Sequence, residues 1–175
     1  MTAPRPRHPR LLWNVSPSVP IGLYSIASAA PIKGQLAVVR PPDPLRLLTA
    51  IRRYLPATAL LIKPVAAGPG DLVCRRGITV TINGGLVAHA RTSDRLRRPL
   101  PRWNGCTILG PEQFFLLAVG PDSFDGRYVG PIDRGHVIGT AYPVWPNALN
   151  DGPGAVPHQR GSPRGYSRVY RSLSR

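Results

Sequence analysis

The chain has 175 residues, with 23 Lys and Arg against 8 Asp and Glu, a formal net charge of +15 and a pI near 11.4. This length fits one domain that can bury a hydrophobic core. No apolar run approaches the roughly 20 residues of a membrane-spanning helix, and residues 1–10 lack the apolar segment of a signal peptide.

The positive charge suggests a nucleic-acid partner, but its distribution argues against one. Only Lys33 and Lys63 are lysines, and the arginines are dispersed over both ends and several loops. A GC-rich genome accounts for much of such an arginine excess. The sequence has neither a basic helix nor a strand that combines aromatic and basic residues. We therefore do not expect direct binding of nucleic acid.

The two cysteines, Cys74 and Cys106, have no C-x-x-C spacing and no histidines at metal-ligand spacing. We therefore expect no metal and no cofactor. On count alone, two readings stay open. One is a disulfide in an oxidising compartment, worth roughly 3–4 kcal/mol, and the other is a pair of reduced thiols in the core.

The first distinctive segment along the chain follows a basic, proline-broken stretch, residues 1–10, which we predict to be disordered. Residues 11–13 form a short apolar anchor directly before the distinctive segment, which contains Ser18. Ser18 then lies between Pro17 and Pro20, where the backbone dihedral angles are restricted on both sides. Such backbone can hold a hydroxyl at a fixed angle, as a nucleophile requires. An ordinary turn that enters a strand is the alternative.

The next segments are a strand at residues 34–39 and the clearest helix of the sequence. Asp43 is placed to cap this helix, Pro44 fits its first turn, and Pro56 stops it. Its predicted apolar face is formed by Leu45, Leu48, Ile51 and Leu55.

Lys63 is embedded near the end of an apolar strand at residues 58–65. Partial burial disfavours the charged amine and lowers the pKa of the lysine toward a value at which it can accept a proton. A lysine that extends from a strand end to water is the alternative interpretation.

Short strands and turns follow and indicate a mainly β protein. A glycine-rich turn at residues 67–71 precedes strands that we predict at residues 72–74, 78–82 and 86–89, with an Asn-Gly-Gly hairpin between the last two. After an arginine-rich loop at residues 91–98, residues 112–119 form the most hydrophobic strand, which we expect to be central. Residues 120–128 pack two carboxylates, a serine and an arginine into one turn. The last strand is predicted at residues 136–142, and residues 147–175 read as a disordered basic tail.

A nucleophilic Ser18 needs a base, and a histidine triad is one candidate. It would combine His89 or His136 with Asp122 or Asp125. Neither histidine lies in a distinctive setting, and His136 is better explained as a structural residue at a strand edge.

A Ser-Lys dyad needs fewer assumptions. In it, the amine of Lys63 accepts the proton of Ser18, and Lys33, beside a glycine in a predicted loop, is the rival lysine. The amide of Ser18 and the hydroxyl of Ser16, two residues earlier on the same extended face, are the candidate donors to an oxyanion.

Three blocks of this sequence, in order, resemble the conserved blocks of signal-peptidase-like serine proteases. They read N-x-S-x-S-x-P-x-G-L-Y from residue 14, K-P-V leading to G-x-G-D-x-V-C from residue 63, and D-S-F-D-G-R-Y-x-G-P from residue 122. The closest resemblance is to the conjugative-transfer peptidases of the TraF type, which mature pilin precursors for a type IV secretion apparatus. It covers about residues 12–146.

The resemblance implies a signal-peptidase-like antiparallel β catalytic domain with one short helix, over residues 11–146. It makes Ser18 the nucleophile, Lys63 the general base and Ser16 an oxyanion donor. It further implies a supporting ion pair between Asp125 and Arg127 near the dyad. A disulfide between Cys74 and Cys106 and a site of action outside the cytoplasm are also implied.

Peptidases of this kind begin with a membrane-spanning segment just before the serine block, and here only residues 11–13 are apolar. We therefore expect a start upstream of Met1 and a protein held at the periplasmic face of the inner membrane, which processes a pilin or another secreted precursor. A soluble variant that is exported by an unexplained route is the other explanation of the missing segment. The alternatives are a general leader peptidase and a catalytically inactive, basic DNA-binding component of the transfer machinery.

Overall fold

The computed structural model describes residues 9–145, which contain eleven β-strands, two α-helices and one short 3-10 helix. The predicted tail at residues 147–175 and most of the predicted N-terminal stretch, residues 1–8, lie outside the described residues. The strands are β1 (Leu11–Asn14), β2 (Gly22–Ala27), β3 (Leu36–Val39), β4 (Leu61–Ala67), β5 (Leu72–Arg76), β6 (Thr79–Ile82), β7 (Gly85–His89), β8 (Gly105–Ile108), β9 (Gln113–Leu116), β10 (Ile132–Asp133) and β11 (Val137–Trp145). The helices are α1 (Asp43–Ile51) and α2 (Gly126–Val129).

Two antiparallel sheets form the molecule. The larger has the strand order β1-β2-β11-β3-β4-β9-β10, and the smaller has the order β7-β6-β5-β8. The predicted mainly β class is confirmed. Neither helix in the described residues has the length and hydrophobicity needed to cross a bilayer.

The core consists of three clusters that hold the sheets together. One joins the smaller sheet to β9 through side chains such as Val73, Val80 and Phe115, all fully buried. Within the larger sheet, Val38 and Val65 belong to two different clusters. Because successive side chains of a strand point to opposite faces, β3 and β4 contribute to both clusters.

Strand β4 carries Lys63 in the interior of the larger sheet, between β3 and β9. Lys63 lies opposite Ala37 of β3 and is only 5% exposed. It shares its face of the strand with Leu61 and Val65 because the side-chain period is two residues. The sheet therefore withdraws the amine from bulk solvent.

The start of α1 differs from the prediction. Asp43 is the first helical residue, and the N-cap position is occupied by Pro42, which has no side-chain group to bond the free amides. The carboxylate of Asp43 instead pairs with Arg46 at 2.9 Å. The helix ends at Ile51, which is 71% exposed, so the predicted apolar face is buried only in its first half.

The predicted central strand is shorter and lies elsewhere in the sheet. Only residues 113–116 form β9, and this strand is second from the edge of the larger sheet. Residues 117–118 are buried but lie outside β9: the amide of Leu117 still donates to the carbonyl of Pro64 in β4 at 3.1 Å, whereas the amide of Ala118 donates to the carboxylate of Asp125 at 2.9 Å. At the opposite edge, the carbonyl of Arg10 accepts a hydrogen bond of 2.9 Å from the amide of Ile26, so the β1–β2 pairing extends to residue 10.

Candidate active site

The side chain of Asn14, at the end of β1, organises the serine loop between β1 and β2. Its amide nitrogen donates to the carbonyls of Ser16, Val19 and Pro20 at 2.8, 3.1 and 3.0 Å. Its Oδ1 accepts from the amide of Ser16 at 3.2 Å. Because Asn14 is only 7% exposed, these bonds are shielded from water, and they fix the loop from the inside.

The hydroxyls of Ser16 and Ser18 contact each other on this loop. Their Oγ atoms are 2.8 Å apart, and the amide of Ser18 donates to the Oγ of Ser16 at 3.4 Å. The second bond is long, so the amide of Ser18 is available to a better acceptor. Both predicted oxyanion donors therefore lie beside the Ser18 hydroxyl.

The amine of Lys63 is buried and has one hydrogen-bond partner among the residues that the structure describes. Its Nζ donates to the Oγ of Ser123 at 2.7 Å. Burial lowers the pKa of Lys63 from 10.5 to about 8, with Asp125 raising it and Arg127 lowering it by smaller amounts. A lysine with this pKa is partly neutral near pH 8 and can accept a proton.

Asp125 and Arg127 form the ion pair behind Lys63 that the resemblance implied. The carboxylate of Asp125 accepts from the Arg127 guanidinium at 3.1 Å, from the Ala118 amide at 2.9 Å and, as the N-cap of α2, from the Arg127 amide at 3.1 Å. Burial raises the pKa of Asp125, against the lowering by Arg127. Both side chains are almost fully inaccessible, so they act on the charge of Lys63 from the interior of the protein.

The smaller sheet holds α2 in place. The guanidinium of Arg75, on β5, donates to the carbonyl of Arg127, and the indole of Trp103 donates to the carbonyl of Gly126 at 2.9 Å. A Cβ atom at Gly126 would approach the Leu116 carbonyl to 2.6 Å, so only glycine allows α2 to pack this closely.

The disulfide between Cys74 and Cys106 joins β5 to β8 and confirms the predicted pairing. Cys74 directly precedes Arg75 in the sequence. The covalent link therefore stabilises the strand from which Arg75 reaches α2.

A cleft of about 700 Å³ brings the predicted catalytic residues together. Ser16, Ser18, Lys63 and Ser123 all line it. Ser18 and Lys63 are not hydrogen-bonded to each other in the described part of the chain, since the hydroxyl of Ser18 contacts Ser16 and the amine of Lys63 contacts Ser123. The remaining lining includes aromatic and aliphatic side chains such as Phe124, whose ring stacks on that of Tyr128 at 5.3 Å.

The rival bases lie away from this cleft. His89 is exposed on β7, and His136 closes the short turn of 3-10 helix before β11. Lys33 pairs with Asp71 at 3.3 Å on the surface. The described residues contain no group of three metal-ligating side chains.

Two residues of the site, Ser123 and Asn14, had no role assigned from the sequence. Both lie inside blocks that carried the family resemblance. Ser123 is 60 residues from Lys63 along the chain. Their contact becomes visible only when the turn formed by residues 120–128, the acidic turn, is seen packed against β4. The signal for Asn14 was its place two residues before Ser16, a spacing at which an asparagine side chain can bond the following backbone.

Comparisons with known proteins show which proteins this chain is similar to. The profile of the family described as signal peptidase, peptidase S26, matches residues 7–145. The chain is 34% identical over 142 residues to the plasmid transfer protein TraF of Escherichia coli, and the aligned region covers 75% of this chain and 80% of that protein. It is 32% identical over 142 residues to a probable conjugal transfer protein TraF of Sinorhizobium fredii, with 75% and 74% covered. A crystal structure of a signal peptidase I from Enterococcus faecalis V583 is 19% identical, with a TM-score of 0.35, over 65% of this chain and 98% of that one.

Proposed function

Because the chain belongs to the S26 family of signal peptidases, we propose that it is a serine endopeptidase with a Ser18–Lys63 dyad that processes precursor proteins in conjugative transfer. The observation that carries this proposal is the cleft in which the serine loop meets a buried lysine whose pKa is lowered to about 8. The relatives are named as plasmid or conjugal transfer proteins, which favours a dedicated precursor over the broad substrate range of a general leader peptidase.

In the proposed reaction, the Oγ of Ser18 attacks the carbonyl carbon of the scissile peptide while its proton passes to the neutral amine of Lys63. The amide of Ser18 and the hydroxyl of Ser16 donate to the oxyanion that forms. The C–N bond then breaks, Lys63 returns the proton to the departing amine, and an ester remains on Ser18. Water attacks this ester, Lys63 again accepts and returns the proton, and the acid product leaves.

The experiment that tests the dyad is cleavage of a purified pilin-type precursor. We expect Ser18→Ala and Lys63→Ala to lose activity by roughly 1,000-fold or more. Lys63→Arg keeps the positive charge but cannot act as a base, so it should be equally inactive. Lys33→Ala is the matched control and should cleave normally. Wild-type cleavage by either Ser18→Ala or Lys63→Ala would show that the dyad is wrong.

We further propose that the protein acts at a membrane surface on the periplasmic side. Its support is the pair of exposed indoles of Trp13 and Trp145, which stack at 5.9 Å and both lie beside Leu23 of β2. They are 51% and 61% exposed, next to the serine loop. Tryptophan is enriched where proteins meet lipid headgroups, and a disulfide is typical of compartments outside the cytoplasm.

Binding to uncharged phosphatidylcholine vesicles tests the membrane proposal without the contribution of the basic surface. We expect a double Trp13→Ala and Trp145→Ala variant to bind several-fold more weakly than wild type. Ile108→Ala, which removes a 68% exposed apolar side chain from the smaller sheet, is the control. Equal binding of all three proteins would exclude this surface as the membrane contact.

A further inference from the structure

The cleft around Ser18 is lined by an excess of positive charge. In addition to Lys63, four arginines and two aspartates contribute to its lining. These residues are Arg52, Arg91, Arg95, Arg98, Asp94 and Asp122. Because a peptide that reaches Ser18 must pass these side chains, their pairing decides which charges the cleft can accept.

Asp94 is fully occupied in folding the loop that forms one wall of the cleft. Its carboxylate accepts from the amides of Leu96 and Arg98 at 2.9 and 2.8 Å, and from the Arg98 guanidinium at 2.7 Å. The hydroxyl of Tyr54 donates to it as well. Asp94 therefore neutralises Arg98 and has no capacity left for the other arginines.

The second carboxylate, Asp122, is shared by two arginines at the mouth of the cleft. Arg91 contacts it at 2.8 Å and Arg95 at 3.3 Å. The side chain of Arg95 is 86% exposed, and those of Arg91 and Asp122 are each 52% exposed. Arg52 donates instead to the carbonyl of Pro99 at 2.8 Å and pairs with no carboxylate of residues 9–145. The guanidiniums of Arg91 and Arg95 therefore share the single carboxylate of Asp122.

This arrangement suits the capture of another carboxylate. Exposed ion pairs contribute little to stability, so Arg95 can leave Asp122 at small cost. A guanidinium binds a carboxylate through two parallel hydrogen bonds, which adds geometric selectivity to the attraction. The pair Arg91 and Arg95 can therefore hold Asp122 and a ligand carboxylate together.

We propose that Arg91 and Arg95 select substrates that carry an Asp or Glu side chain in the segment occupying the cleft. The inference rests on the proposed peptidase function and names the chemical class of its substrate. An acidic residue near the scissile bond is favoured, and a lysine at the same position is rejected by the same two charges.

The test uses internally quenched, alanine-rich peptides that differ only in Glu, Gln or Lys, placed in turn at each position that flanks the cleavage site. We expect the wild-type kcat/KM to be roughly 5- to 10-fold higher for Glu than for Gln at one of these positions, with the ratio falling as salt is added. In Arg95→Gln and Arg91→Gln this ratio should fall toward one. In Asp122→Asn, which frees both arginines, it should rise.

Two variants control for the change in total charge. Arg76→Gln removes an exposed arginine of β5 outside the cleft, and Asp43→Asn removes a carboxylate that pairs with Arg46 on α1. Both should keep the wild-type ratio of Glu to Gln cleavage. A ratio that changes equally in Arg76→Gln and Arg95→Gln would assign the selectivity to net charge and overturn the inference.

Peptide binding to Ser18→Ala, measured by fluorescence anisotropy, separates this inference from the proposed function. Tighter binding of the Glu peptide that is lost on adding Arg95→Gln supports the arginine pair even if the wild-type protein cleaves nothing. Equal cleavage of the Glu and Gln peptides by wild type overturns the arginine pair and leaves the peptidase intact. Absence of both cleavage and selective binding overturns both.

Discussion

The Nζ atom of Lys63 lies 2.7 Å from the Oγ atom of Ser123 and donates a hydrogen bond to it inside the protein. This contact fixes the position of an amine that would otherwise rotate about a flexible stem. Within residues 9–145, Ser123 is the one hydrogen-bond partner of this amine, and it lies in the turn formed by residues 120–128. The turn therefore orients the amine of Lys63 through Ser123. It also raises the pKa of Lys63 through the charge of Asp125, against the larger lowering by burial.

Replacing Ser123 with alanine should lower kcat/KM by roughly 10- to 100-fold, since the amine loses the contact that orients it. The charged amine also loses an acceptor, so the pKa of Lys63 should fall further and the midpoint of the pH profile should move to lower pH. Steady-state kinetics across pH 6–10 measure both effects. Ser28→Ala, at an exposed serine outside the cleft, is the control. An unshifted midpoint would assign Ser123 a structural role only.

The pH dependence of the reaction should follow the neutral form of Lys63. Because burial lowers the pKa of Lys63 to about 8, we expect kcat/KM to rise with pH and to reach half its plateau near pH 8. A plateau that is complete by pH 6 would contradict the role of Lys63 as the base. Labelling of the one remaining lysine in a Lys33→Arg background, read on the peptide that contains Lys63 so that the α-amino group does not contribute, gives an independent titration curve.

The buried amine should cost stability at neutral pH. In the folded state the pKa of Lys63 is below its unfolded value of 10.5, so folding releases a proton between about pH 8 and 10.5, and stability rises with pH there. Relative to Lys63→Met, which does not titrate, the wild-type free energy of unfolding should increase by about 2–3 kcal/mol from pH 7 to pH 10. Denaturant unfolding of both proteins at each pH measures the difference. A constant difference would mean that Lys63 keeps an ordinary pKa.

Asn14 should matter for both catalysis and stability. Asn14→Ala leaves three carbonyls of the serine loop without their donor, which should cost about 1–3 kcal/mol and release Ser18 from its position, with a fall in kcat/KM of roughly 100-fold. Asn14→Asp should be at least as damaging, because a carboxylate cannot donate to carbonyls. Asn104→Ala, at an exposed asparagine, controls for the substitution. Full activity of Asn14→Asp would show that the serine loop keeps its conformation without the hydrogen bonds from the Asn14 amide nitrogen.

The disulfide should stabilise the smaller sheet and, through it, α2. For a sequence separation of 32 residues, a double Cys74→Ala and Cys106→Ala variant should lose about 3–4 kcal/mol of unfolding free energy. Denaturant titrations with and without a reductant measure this loss. The reductant should weaken the wild type to the level of the double variant and leave that variant unchanged. A wild type that does not respond to reductant would contradict a disulfide that links the two strands.

Local patterns in the sequence predicted seven of the strands, β3 to β7, β9 and β11, and the hairpin at Asn83, but they did not predict β1, β2, β8 or β10 as strands. The pairing of Cys74 with Cys106 was implied by the family resemblance. Local patterns were less reliable at α1, where Asp43 was expected to cap the helix but Pro42 takes that position. The expected central strand became β9, second from the edge. The second difference arises because a pattern of apolar residues shows that a segment is buried, whereas its place in the sheet depends on the strands that pair with it.

The amino-acid sequence by itself determined the mainly β class, the family and the candidate residues Ser16, Ser18 and Lys63, because each depends on residue types at fixed spacing. Only the tertiary structure decided that Lys63 contacts Ser123 and that Arg91 and Arg95 share Asp122. These partners are tens of residues apart along the chain. The depth of burial that lowers the pKa of Lys63 likewise comes from the neighbouring strands β3 and β9. The residues around Lys63 in the sequence do not determine which strands pair with β4.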